Sequence, residues 1–209
     1  MGFLEKIKEA REKSKKRKFT QSWDISINLR GIDLRKPESR LNLEFVLPEG
    51  RGKENKVAVI TDSLEAEAKK SADLVIKKSE IDSLVKNKKK LKQIANEYDF
   101  FLGEVSLMPV IGKSLGLVLG PRGKMPKPIP PKISVEHLVK RAKKTIKVVL
   151  KESPVIHTSI GTEDMPEEKV AKNAEALFDF VVDKLPKGRN NIKSVFIKLT
   201  MGKPVKLEV

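Results

Sequence analysis

The 209-residue chain has no cysteine, which excludes disulfides, thiolate nucleophiles and zinc ribbons together and fits a reducing cytoplasm. Its two histidines, His137 and His157, fall in different expected elements, so no histidine-built metal centre and no metal site is expected. Aromatic residues make up 5% of the chain, with one Trp and one Tyr, too few for a sheet that binds single strands mainly by stacking bases. No apolar run approaches the roughly 20 residues of a membrane span, and the lysine-dense N-terminus has no apolar region and cleavage site behind it. A soluble, unprocessed protein that avoids membranes is expected. Acidic residues are scarce relative to basic ones, 28 against 44, leaving a net charge of +16. Such a balance predicts a polyanionic partner, and with so few stacking residues folded RNA is the expected one.

The most unusual stretch is Gly112 to Pro131, GKSLGLVLGPRGKMPKPIPP. Its glycines and prolines predict a shaped basic loop, with neither helix nor strand through its second half. Lys113, Arg122, Lys124 and Lys127 would present charge from it. Gly112, Lys113 and Ser114 repeat the end of a nucleotide-binding P-loop, but the motif also needs a glycine five positions before Gly112, where Leu107 stands. A nucleotide-dependent enzyme using this loop is therefore the weaker alternative. A non-specific basic RNA chaperone is another.

Along the chain, residues 3 to 16 repeat apolar positions at helical spacing and run into Lys15, Lys16, Arg17 and Lys18, which reads either as a solvated helix end or as an RNA contact. Ile25, Ile27 and Leu29 alternate with Ser22, Asp24, Ser26 and Asn28, and Leu41 to Leu47 alternates again after a loop containing Gly31 and Pro37, so one-sided antiparallel strands are expected. From Val57 the pattern changes to short, wholly apolar strands separated by helices, capped at Asp62 or Ser63 and at Ser79 with Asp82. That grammar belongs to a parallel sheet covered on both faces. A helix from Ser134 to about Lys144 follows, and then alternation returns in Ile146 to Leu150, in Val155 to Ile160 and in Ser194 to Met201, with a helix after Asp164.

The fold class expected is α/β with two domains. One, residues 1–53 and 145–209, is an antiparallel-sheet α+β domain built from both chain ends, because neither end can bury its own faces alone. The other, 54–144, is an inserted, Rossmann-like three-layer α/β domain with a mostly parallel sheet. Crossings near Lys53 and Lys144 would form a hinge.

The polar faces of the first and last strands carry Ser22 and Asp24, and Ser194, Lys198 and Thr200. Short hydroxyl and carboxylate side chains on a rigid backbone suit ribose 2′-hydroxyls and base edges, and lysine suits phosphates. Phe19 and Phe196 each read as core residues, the commoner fate of a lone Phe, with stacking on a ribose or base the rival reading for Phe19, which follows Lys18. Nothing joins into a catalytic motif: Glu163, Asp164, Glu167 and Glu168 read as acids at a helix start, and His157 has no nucleophile partner.

GLVLGPRGKMPKP, with Gly120, Pro121, Arg122, Gly123, Met125 and Pro126 in order, resembles the signature loop of the large-subunit ribosomal protein L-one family. The ends agree with it: Phe19 before Ser22 and Asp24, and Ser194 in a strand closing on Thr200, Met201 and Gly202. The resemblance covers nearly the whole chain and looks archaeal in type; members often carry Glu where this chain has Asp24. It implies a non-enzymatic, cytoplasmic, ribosome-associated monomer without cofactor. Its ribosomal RNA site would comprise Lys18, Phe19, Ser22, Asp24, Ser194, Lys198, Thr200, Met201 and Gly202. The inserted domain would complete the side-stalk tip near exit-site transfer RNA. The resemblance also implies repression of its own messenger RNA where that carries a copy of the ribosomal site.

Overall fold

The computed structural model describes residues 2–36, 40–130, 133–151 and 153–208. Pro37 and Pro131, named above, lie outside them. The chain divides into two compact units, Met1–Glu54 with Lys144–Val209, and Asn55–Lys143. Elements are numbered along the chain.

The first unit holds helices α1 (Phe3–Glu12) and α7 (Glu167–Lys184) and strands β1 (Ser22–Leu29), β2 (Leu41–Val46), β7 (Thr145–Leu150), β8 (Val155–Thr162), β9 (Ile192–Leu199) and β10 (Val205–Leu207). Four strands form an antiparallel sheet in the order β10-β9-β1-β8, while β2 and β7 pair as a separate antiparallel ribbon. The alternation of SWDISINL puts Trp23, Ile25, Ile27 and Leu29 on one face, all buried. They pack with Val195, Ile197 and Leu199 of β9 onto Phe3 and Ile7 of α1 and Val170, Leu177 and Phe178 of α7. Burial of these side chains is the main stabilising term, at about 1.5–3 kcal/mol each. The Phe3 and Phe178 rings meet edge to face, 5.9 Å between centroids.

A polar residue also lies in this core. Asn173 of α7 is fully buried and satisfied: its amide donates to Gly50 O (2.7 Å) and Ile160 O (2.9 Å) and accepts from Glu49 N (3.1 Å). It ties the 49–50 turn and β8 to the helix. Beyond that turn Gly52 has φ +81°, and a Cβ there would stand 2.2 Å from Thr162 Oγ1, so only glycine fits.

The second unit is built on β3 (Val57–Ile60), β4 (Leu74–Ile76), β5 (Phe100–Glu104) and β6 (Lys127–Ile129), all parallel in the order β4-β3-β5-β6. Its helices are α2 (Glu65–Ser71), α3 (Lys78–Lys86), α4 (Lys88–Glu97), α5 (Met108–Leu119) and α6 (Val135–Lys143). Ala58, Ile60 and Phe101 face α3, α4 and α5, whereas Val57, Val59, Phe100 and Leu102 face α2 and α6. Both faces are covered, which gives three layers.

Several local expectations are corrected. The first helix ends at Glu12, not near residue 16. Asp62 and Ser63 do not cap α2; their N–H groups and the Ser63 hydroxyl donate instead to Glu104. The single helix expected after Ser79 is two, broken at Asn87, whose side chain accepts from Lys90 N. At the start of α3 Glu80 accepts from Lys77 N, so the Ser79 and Asp82 box does not form.

The expected basic loop is also corrected. Its first half is α5, with Pro109 in the first turn, where a missing N–H is harmless. Ile111, Leu115 and Leu119 recur every four residues and are buried, which outweighs the cost of about 1 kcal/mol for each interior helical glycine. Lys127 to Ile129 in the second half is the edge strand β6, where Pro128 is tolerated. Lys113 therefore stands on a helix and Lys127 on a strand, leaving Arg122 and Lys124 in the turn between them.

Candidate nucleic-acid interface

The face of the first unit's sheet opposite the helices carries the polar half of the alternation. Register fixes its map in rows across the strands. Asp24 of β1 stands between Lys198 of β9 and Ser159 of β8, and Ser26 between Phe196 and His157. Asn28 stands between Ser194 and Val155. Asp24 opposite Ser159 continues that regular register, and the bulge beyond it, between Trp23 and Asp24, passes over Ile160 and sets Gly161 opposite Trp23. Lys206 of β10 extends the Phe196 row. Rows two residues apart are about 7 Å apart.

At one end the face closes in a knot of the two chain ends. Thr200 N donates to Ser22 O (3.1 Å), and Ser22 N donates to Thr200 Oγ1 (3.0 Å). Met201 N donates to Gln21 Oε1 (3.1 Å). Gln21, 1% exposed, also donates its side chain to Lys15 O and its backbone N–H to Glu163 Oε2. Gly202 lies against the end of the first helix, and a Cβ there would stand 2.1 Å from Ser14 Oγ. The Thr-Met-Gly order thus has a steric cause: hydroxyl to the sheet, side chain outward, no Cβ at the helix. Phe19 (53% exposed) and Met201 (58% exposed) project apolar surface on either side of this knot. Neither Phe19 nor Phe196, which is half-buried on the polar face, is a core residue. Lys15 to Lys18 are exposed in the segment between α1 and β1.

Of the expected site residues, Phe19, Ser22, Thr200, Met201 and Gly202 converge on the knot, with Lys18 just before it. Asp24 and Lys198 face each other in the next row. Ser194 lies two rows further on, its Oγ accepting from Asn28 Nδ2 (2.9 Å). Gln21 was missed, since a glutamine beside a strand gives no periodic signal; Phe196 and His157 were seen, but only the cross-strand register shows that they share one row.

Asp24 is the electrostatic centre of the face. Burial pushes its carboxyl above the ordinary value of 3.8, against the opposing pull of Lys198, Arg51 and His157. It accepts no hydrogen bond from any described residue. A half-buried, unpaired carboxylate among cations has unused acceptor capacity, which a ligand carrying N–H or O–H groups can take up.

The second unit offers the opposite arrangement. Glu104, at the carboxyl end of β5 beside β3, accepts from Thr61 Oγ1 (2.8 Å), Asp62 N (3.1 Å), Ser63 N (3.2 Å), Ser63 Oγ (2.7 Å) and Ser106 Oγ (2.8 Å). The Ser63 hydroxyl contributes most, and the carboxyl is held down at about 2. This is the switch point of the parallel sheet, where doubly wound folds receive a nucleotide. Here a carboxylate of the chain occupies it. Gly112, Lys113 and Ser114 lie inside α5, their N–H groups within a helix instead of turned toward a phosphate, so the P-loop reading fails on geometry. Lys124 and Arg122 of this segment bond to the chain itself. Lys124 Nζ bonds the carbonyls of Ala95 (3.0 Å) and Tyr98 (2.7 Å) at the end of α4, and Arg122 bonds Val118 O and Asn96 Oδ1. Among the described residues no group of three or more His, Cys, Asp or Glu could hold a metal, and no helix is long and apolar enough to cross a membrane.

Sequence comparison adds the relatives. The profile of the Ribosomal protein L1p/L10e family matches residues 10–203. The chain is 49% identical over 207 residues to the large ribosomal subunit protein uL1 of Thermococcus kodakarensis, covering 98% of this chain and 96% of that one. It is 48% identical over 206 residues to the uL1 protein of Methanothermobacter thermautotrophicus, covering 98% and 97%. Against that of Pyrococcus horikoshii it is 45% identical over 207 residues, covering 98% and 94%.

Proposed function

Because the chain belongs to the Ribosomal protein L1p/L10e family, we propose that it is a component of the large ribosomal subunit that binds ribosomal RNA of the side stalk through the first unit. The observation that carries this reading is the open sheet face. It presents short polar side chains and lysines in register, an unpaired carboxylate at Asp24, and a knot at Ser22 and Thr200 flanked by exposed Phe19 and Met201. Hydroxyls and a carboxylate held on a rigid sheet suit the wide minor groove and 2′-hydroxyls of folded RNA, while Lys18 and Lys198 neutralise phosphate. The protein binds and positions; it makes and breaks no bond. Its place of action is the ribosome in the cytoplasm.

Two finer roles belong to the same reading. The second unit, with Lys113 and Lys127 as cations at its surface, assists departure of exit-site transfer RNA. Where the messenger for this chain repeats the ribosomal site, the first unit binds it and represses translation. Both follow from the family resemblance of the signature segment and of the chain ends.

The test is a salt titration of binding to the stalk segment of large-subunit ribosomal RNA beside an unrelated folded RNA of equal length. Counterion release weakens both as salt rises. Stalk RNA should remain bound at salt that strips the control. Simultaneous release would reduce the protein to a non-specific basic RNA binder.

A further inference from the structure

The row through Ser26 has a shape that rim contacts at the knot do not require. Phe196 and His157 stand directly across from Ser26 on its two sides. Their Cα atoms are therefore two strand spacings apart, about 10 Å. Side chains on a sheet stand roughly perpendicular to it, so two rings rise as walls with a serine between them. A pocket of about 670 Å³ opens there, lined by Phe196, His157, Ser26, Asp24, Ser159 and Lys198. That volume is typical of a small-ligand site.

We infer that this pocket receives one unstacked guanine of the bound RNA, its ring between Phe196 and His157 and its Watson–Crick edge on Asp24. The inference rests on the RNA-binding reading above and specifies what the centre of the face reads. Single-stranded loops and bulges are read by splaying a base onto an aromatic or histidine side chain and bonding its edge. Asp24, when ionised, only accepts, and has two oxygens for the purpose. Among the four bases only guanine presents two neighbouring N–H donors, N1–H and N2–H, on that edge. Adenine, cytosine and uracil place an acceptor beside each donor, which would face the carboxylate with a lone pair. Ser159 and Ser26 supply hydroxyls for the remaining edge atoms, and Lys198 a cation for the adjoining phosphate.

The experiment is kethoxal footprinting of the stalk RNA, since kethoxal attacks N1 and N2 of exposed guanine. The intact protein is compared with Phe196→Ala and Asp24→Asn. Both positions lie on the open face, so the core is untouched, and each variant is used at a concentration that saturates the RNA. One guanine should be protected by the wild-type protein and regain reactivity with either variant, while affinity falls between about five- and a hundredfold. Salt-resistant binding in which no guanine changes reactivity between wild type and variants would overturn the pocket and leave the proposed function standing. Failure of the wild-type protein to prefer stalk RNA would overturn both.

Discussion

The sheet of β10, β9, β1 and β8 is covered by helices on one face, whereas that of β4, β3, β5 and β6 is covered on both. The two also treat charge differently. On the open face Asp24 is half-buried and Lys198 stands opposite it, and among the described residues neither has a hydrogen-bond or ion-pair partner. In the covered unit Glu104 accepts five hydrogen bonds and Lys124 closes two carbonyls. A polar group with its partners already in the chain stabilises the fold, and one held rigid without them is available to a ligand. Basic residues are abundant in both units, so net charge does not separate them. Satisfaction of the polar groups does.

The comparison breaks most severely if the support beneath the open face is removed. Asn173→Leu orphans Gly50 O, Ile160 O and Glu49 N, each at about 1–3 kcal/mol. Denaturant unfolding should show a loss of several kcal/mol, or no soluble protein, while a variant of near wild-type stability would remove Asn173 from the argument.

Thr200→Val strips the hydroxyl that accepts from Ser22 N at the knot. Stalk-RNA affinity measured by filter binding at high salt should fall by about 1–3 kcal/mol, with binding of a control RNA unchanged. An equal loss for both RNAs would mean that the knot does not read RNA.

In the covered unit, Glu104→Gln keeps an acceptor for the Asp62 and Ser63 N–H groups when its NH2 faces the Ser63 and Ser106 hydroxyls, but it removes the charge that strengthens all five bonds, and should cost about 1–2 kcal/mol of stability at neutral pH. The folded pKa of about 2 lies below the ordinary 4.5, so the carboxylate's contribution is complete above about pH 4.5 and is lost as pH falls through 2. The wild-type and variant stability curves should converge across that window. Curves that stay parallel would show that the charge is not what matters.

The smallest effect is the sharpest contrast. Lys198→Met should lower the slope of log affinity against log salt by about 0.9, one phosphate contact's worth. Lys124→Met should leave that slope unchanged although it deletes the same charge. Equal changes would erase the distinction between satisfied and unsatisfied cations.

Much of this fold could be read in the sequence because burial writes itself as period. SWDISINL and IKSVFIKL alternate, and VAVI and FFL are apolar without interruption, so one sheet declares an open face and the other two covered ones. Of the three-residue edge strands, Leu74 to Ile76 shows as a short apolar run, but the other two leave no such trace. Lys127 to Ile129 carries a proline tolerated only at an edge, and Val205 to Leu207 is too short to show alternation. The helix α5 was hidden by its own composition: proline and glycine argued for a loop, while the spacing of Ile111, Leu115 and Leu119 argued for a helix and prevailed through burial.

The site divides in the same way. Ser22, Asp24, Lys198 and Thr200 are legible as the polar half of two strands. Which of them meet depends on the pairing register of β1 with β9, which is not encoded in the local pattern of either strand. Register is likewise why Phe196 and His157, 39 positions apart by their numbers, emerge as neighbours of one serine only in three dimensions. Glu104 was invisible for a related reason, since all its donors but Ser106 lie just past the end of another strand.

The most direct test of the central claim is lysine acylation footprinting of the full-length protein with saturating stalk RNA, at salt that strips the control RNA. The account predicts that Lys18 and Lys198 become protected while Lys113 and the Lys88 to Lys90 run stay reactive. Protection of Lys113 and Lys88 to Lys90, with Lys18 and Lys198 unchanged, would contradict it and move the ribosomal RNA contact to the covered unit.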